Sequence, residues 1–178
     1  MKKFYIPILV LIIIFAISGC RSLIPDKLVE GVYSLADISI INEKTYADSR
    51  MEIIKQAINT KDAERLRKIF CNEFTDDEQK FISQTEALFD YFDEEIESFN
   101  NETWGMSDWE IFSYYSVKTE ANTYYFALYD CVEEYSNPKV NGMNSIRVYN
   151  AANTEIYGLG TWNTGWSNKI KAGIYISK

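Results

Sequence analysis

Apolar positions recur along this chain in three successive patterns, and each marks a different kind of element. Residues 4–17 form an almost unbroken apolar run. From residue 47 the spacing becomes helical: Met51, Ile54, Ala57 and Ile58 recur on one face, with Ile53 beside them. Asp48 or Ser49 is placed to cap this helix. Asn59-Thr60 interrupts it, and Ala63, Leu66, Ile69 and Phe70 line a second helix with Thr60 as its expected cap. Thr75-Asp76-Asp77-Glu78 then has the Thr-x-x-Glu form of a capping box. Behind it Phe81, Ile82, Thr85, Leu88, Phe89 and Phe92 make the broad stripe of a third helix.

Past Asp93 the period shortens to two. Residues 95–99 alternate and predict a short strand, and residues 100–107, with Trp104 and Gly105, predict a polar turn region. Residues 109–119 and 123–134 are long, aromatic-rich strands around the turn Glu120-Ala121-Asn122, which is a hairpin signal. Tyr124, Phe126, Leu128 and Val132 fall on one side of the second strand, and Tyr125, Ala127, Tyr129 and Cys131 on the other. A loop with Asn137-Pro138 and Asn141-Gly142 leads to a third strand at 144–151, with Ile146 and Val148 inward. Residues 153–162 predict part of a fourth strand, and 172–177 a last strand or extended tail. Helices first and an antiparallel meander after them predict an α+β domain, its N-terminal helices packed on a curved antiparallel sheet.

The first apolar run is a different matter. Lys2 and Lys3 precede it and Ser18-Gly19-Cys20 close it. A charged start, an apolar middle and small residues at the end are the architecture of a secretory signal peptide. The run is shorter than the roughly 20 residues that a spanning helix needs. A cysteine directly after the small residues resembles the lipobox of a bacterial lipoprotein signal. That resemblance implies transfer of a diacylglycerol to the Cys20 thiol and then cleavage between Gly19 and Cys20, which leaves Cys20 as the mature N-terminus. Two or more fatty chains such as palmitate would then hold the chain on the extracytoplasmic face of the cell membrane. An uncleaved anchor helix is the alternative. The expected organisation is a leader at 1–19, a lipid-bearing N-terminus and spacer at 20–46, and a domain at 47–178.

Without the two leader lysines, 16 basic residues face 26 acidic ones, a balance of −10. Such a chain lacks the basic footprint of a nucleic-acid binder. Histidine is absent. This removes the commonest general base and transition-metal ligand, and with them Ser-His-Asp and Cys-His catalysis and histidine-ligated zinc or haem. No P-loop, dinucleotide fingerprint or Gly-x-Ser-x-Gly elbow occurs, so no cofactor is expected. Asp76, Asp77 and Glu78 lack the spacing of a calcium loop. An exported location permits a Cys71–Cys131 disulfide; the alternative is two buried small hydrophobes.

The segment Ile54 to Phe70 resembles the opening helix pair of nuclear transport factor 2-like domains, in which an apolar helix meets a short Asp-containing break and a second helix ends in an aromatic. The chain over residues 47–178 is similar to a group of lipid-anchored Gram-positive proteins of that fold with no assigned function. The likeness is carried by Asp130-Cys131-Val132-Glu133-Glu134, Asn137-Pro138, Gly142 with Ser145-Ile146-Arg147-Val148, and Gly173-Ile174-Tyr175-Ile176. It implies a cone of helices and curved sheet whose open end can hold a pocket.

Asp130 is the carboxylate of most interest, because its parity places it on the inward side with Phe126 and Leu128. A carboxylate there needs hydrogen bonds or a place at the mouth of the cone. It is either a pocket anchor or acid–base group, or a strand-end carboxylate bonded to loop backbone or to Arg147. Tyr115 and Tyr124, with Trp162 and Trp166 from a glycine-bearing loop, are candidate pocket or rim residues, set against ordinary sheet packing. The leading expectation is a non-catalytic domain that binds a small ligand or a cell-envelope protein. A hydrolase or isomerase using Asp130 and tyrosines, and a dimerisation module pairing two copies through an open sheet face, are the alternatives.

Overall fold

The computed structural model describes residues 42–107, 110–132, 137–152 and 172–177. The leader, Cys20, the loop bearing Trp162 and Trp166, and the strand expected at 153–162 lie outside the described residues.

Helix α1 (Glu43–Thr60) starts four residues before the expected domain boundary, capped by Asn42, whose side chain accepts from the Lys44 amide at 3.0 Å. Tyr46 is already buried, so the domain takes in the last residues assigned to the spacer. Lys61, in the left-handed region at φ 54°, turns the chain out of α1. Asp62, not Thr60, caps α2 (Ala63–Arg67), accepting from the Arg65 amide at 3.0 Å. The capping box does not form. Thr75 belongs to the single-turn helix α3 (Asn72–Thr75), and its hydroxyl donates back to the Cys71 carbonyl. Asp77 therefore caps α4 (Glu78–Tyr91), accepting from the Lys80 amide at 3.1 Å.

Among the described residues five strands follow: β1 (Ser98–Ser107), β2 (Glu110–Lys118), β3 (Thr123–Cys131), β4 (Gly142–Asn150) and β5 (Gly173–Ser177). They form one curved sheet in the order β1-β2-β3-β4-β5. The hairpin β2–β3 is as expected, but two expectations fail. Residues 100–107 are strand, with a bulge between Asn101 and Thr103, and not a turn. Among the described strands β1 is an edge, so polar side chains there can face water without breaking the ladder. The C-terminal segment is a strand that runs parallel to β4, so the sheet is mixed and not a pure meander.

Helix α1 packs on β1 and β2, and α4 on β5. Between them Met51, Ile54, Ile58, Leu66, Phe81, Leu88, Phe126, Ile146 and Val148 are fully buried in one continuous core. Each such side chain contributes about 1.5–3 kcal/mol of burial. Phe74 meets Phe70 and Phe81 edge-on at 4.7 and 5.3 Å.

Three polar clamps fix the layers. Asn59 at the end of α1 accepts from the Ile96 amide (2.8 Å) and donates to its carbonyl (3.0 Å). Ile69 and Cys71 bond both backbone groups of Met143, joining the helical half to the start of β4. Gln84 of α4 accepts from the Ile174 amide at 2.8 Å, while Lys80 donates to the Ala172 carbonyl at 2.5 Å.

Candidate functional site

Strand alternation carries Asp130 to the helix-facing side of β3, as its parity predicts, opposite Ile111 of β2 and Met143 of β4. It is 3% exposed. Its partners come from the first turns of α1. Tyr46 and Arg50 are four residues apart and so share one helix face. The Tyr46 hydroxyl donates to Asp130 Oδ1 at 3.0 Å and accepts from Arg50 Nε and Nη2 at 2.9 and 2.7 Å. Arg50 Nε lies 3.4 Å from Asp130 Oδ2, an ion-pair distance. The Arg50 guanidinium also sits 4.8 Å from the centre of the Tyr46 ring. Arg50 is 1% and Tyr46 3% exposed, so the whole constellation is withdrawn from water.

Burial pushes the Asp130 carboxyl above its ordinary value, against the pull of the Arg50 charge and the Tyr46 hydrogen bond. Burial also drives the Tyr46 hydroxyl well above its usual range, which keeps it protonated and able to donate. The arrangement is a tyrosine-bridged ion pair. It ties α1 to β3, although Asp130 Oδ2 has the Arg50 charge beside it and no hydrogen bond of its own.

The partner of Asp130 is therefore Arg50 and not Arg147. Arg147 lies opposite Ala127 on the other sheet face, where its guanidinium stands 5.4 Å from the centre of the Tyr175 ring. Sequence reasoning missed Arg50 and Tyr46, and the one signal for them was their spacing. Stepping the Ile58 and Ile54 stripe back by four residues reaches Arg50 and then Tyr46.

The other nominated residues have structural surroundings too. Tyr115 is fully buried, meets Phe99 edge-on at 5.6 Å, and donates to Asp48 Oδ1 of α1 at 3.1 Å. Asn101 donates to the same oxygen at 3.1 Å, and Lys44 to Oδ2 at 2.5 Å. Burial, with the nearby Asp48 charge, raises the Tyr115 hydroxyl far above its ordinary value. Tyr124 is 5% exposed and packs with Phe92 and Tyr91 at 4.7 and 5.7 Å. Both tyrosines belong to the core, not to a rim. Trp162 and Trp166 lie outside the described residues.

The Cys71–Cys131 bridge is not formed: both thiols are buried and unbridged. Cys71 is held by its backbone bond to Met143, and the Asn144 amide nitrogen lies 4.0 Å from its sulfur. The Cys131 sulfur is 3.8 Å from Asn141 Oδ1. Burial pushes the Cys71 thiol up to about 11. Among the described residues no group of three or more His, Cys, Asp or Glu side chains could hold a metal ion. No described helix is long and apolar enough to cross a membrane.

Fold and site together define an α+β domain with helices preceding a five-stranded sheet, its inward carboxylate closed into an ion pair. Residues 52–151, more than half of the chain, match the domain of unknown function DUF5104, and the chain belongs to that family. No curated protein matches it.

Proposed function

We propose that this chain is a lipid-anchored, extracytoplasmic binding domain with a nuclear transport factor 2-like cone, and that it is not an enzyme. The single observation that carries the non-catalytic reading is the closure of Asp130 with Tyr46 and Arg50. Asp130, the inward carboxylate of β3, is used to join α1 to the sheet, with the Arg50 charge beside it. Helices followed by a curved sheet support the cone. The space between them is occupied by Met51, Ile54, Tyr115, Phe126 and Val148, which favours contact with a partner over enclosure of a small ligand. Lys2 and Lys3, the apolar run and Cys20 support the anchor. The partner is then a molecule of the cell envelope.

Two experiments test the reading. Cys20→Ser in the full chain should abolish palmitate incorporation and leave the leader uncleaved. Unchanged processing and membrane retention would sink the anchor. Thermal-shift screening with sugars, peptides and lipids should find a compound that raises the melting temperature without being consumed. Turnover of any compound that is lost in a still-folded Asp130→Asn variant would instead establish an enzyme.

A further inference from the structure

The exposed large hydrophobic side chains among the described residues are Trp104, Phe112 and Ile82, and two of the three flank one strand edge. The Glu97 amide donates to the Lys118 carbonyl at 2.9 Å, so Lys118 turns its backbone toward the β1 side. Alternation along β2 then turns Tyr114 and Phe112 the same way. Their partners Thr103 and Gly105 use their backbone groups on β2, and Trp104 and Met106 direct theirs outward. No described strand lies beyond β1.

Side chains bracket this edge of the described sheet on both faces. Trp104, 38% exposed, stands on the helix side. On the opposite face Phe112 lies across the bare backbone of Gly105, where a Cβ would come within 2.3 Å of its ring. The stretch Thr103 to Ser107 carries no charge. Acids stand at its two ends on the Phe112 face: exposed Glu102 on β1, held by Ser116 and Asn100, and Glu110 on β2 opposite Ser107. On the other face Lys44 of α1 is already paired with Asp48.

We propose that β1 is a docking edge for an extended peptide segment of another protein, one with an apolar middle and a Lys or Arg at each end. The incoming strand would exchange main-chain hydrogen bonds with Trp104 and Met106. Its apolar side chains would lie against Trp104 and Phe112, and its cations beside Glu102 and Glu110. A second copy of this chain fits worse, because it would bring its own Glu102 and the net charge of −8 to an acidic edge. This inference rests on the binding reading above and names its partner chemistry.

The test uses the full chain in detergent micelles and a dye-labelled acetyl-Lys-Val-Val-Thr-Val-Val-Lys-amide, whose valines fall on both faces and whose lysines share one, followed by fluorescence anisotropy. Saturable binding is expected, weakened about tenfold by replacing both lysines with glutamates. It should also weaken with added salt. N-methylation of the backbone amides that face the edge should abolish it, and Trp104→Lys should weaken it by about tenfold or more. Ile82→Lys, on α4, should leave it unchanged. Absence of saturable binding, indifference to N-methylation, or equal loss in Ile82→Lys would each overturn the proposal. So would a dimer in sedimentation that disappears in Trp104→Lys, since a second copy would then own the edge. These outcomes leave the Cys20 and turnover experiments untouched, so the edge can fail while the anchored binding domain stands.

Discussion

Removing the carboxylate of Asp130 would strand a guanidinium in the core. Arg50→Met or Asp130→Asn should therefore cost about 3–5 kcal/mol in denaturant unfolding, because either change leaves a buried polar partner uncompensated. Arg50→Met combined with Asp130→Leu should cost clearly less than the sum of the single changes. A cycle that came out additive would mean the two side chains do not act as a pair. The proton balance gives a second expectation. Burial raises Asp130 in the folded state above its unfolded value near 3.8, so the native state holds this proton to higher pH than the unfolded chain does. The stability of the natural chain relative to Asp130→Asn should therefore fall as pH rises through that window, and be greatest below it. The opposite slope would show that Arg50 outweighs desolvation. Cys71, pushed up to about 11 by burial, should resist thiol reagents at pH 8 in the native protein and react only on unfolding. At this scale the sequence showed half of the site. Parity alone turned Asp130 inward, but its partners sit 80 or more positions earlier, and an arginine near a helix start reads as a solvated residue until the fold buries it.

At the scale of elements, the joint between the helical half and β4 leaves no room for a side chain. Gly142 has φ +113°, and a Cβ there would come within 3.1 Å of the Cys71 nitrogen and 3.2 Å of the Ile69 oxygen. Both neighbours are backbone and cannot rotate away. Gly142→Ala should cost about 1–3 kcal/mol, measured by equilibrium unfolding, with larger loss of amide protection at Cys71 and Met143 than at the β2–β3 hairpin. Equal loss at both places would contradict a local origin. Elements with strong periodicity, namely α1, α4 and the β2–β3 hairpin, were legible because their inward faces are continuous. β1 was not. Asn100, Asn101, Glu102 and Gly105 are poor strand formers, and the ladder with β2 overrides their local preference. The caps moved for a related reason: three Asx side chains, Asn42, Asp62 and Asp77, occupy the N-cap positions, while the nearby Thr60 and Thr75 hydroxyls bond carbonyls one turn back.

For the whole molecule, one buried cluster runs from α1 through α4 to β5 without a break. Helices and sheet should therefore unfold together. Far-ultraviolet and near-ultraviolet circular dichroism of the full chain should trace coincident denaturation curves; separated midpoints would show two cooperative units. β5 adds a constraint of timing. Its partners, β4 on one side and Lys80 and Gln84 of α4 on the other, all precede it in the chain. A polypeptide that emerges N-terminus first must therefore hold the outer edge of β4 open, and Gln84 without its strand, until residues 173–177 have been made. Residues 173–177 can therefore join only after β4 and α4, and a chain cut short just before them would leave β4 without this partner instead of merely trimming an end.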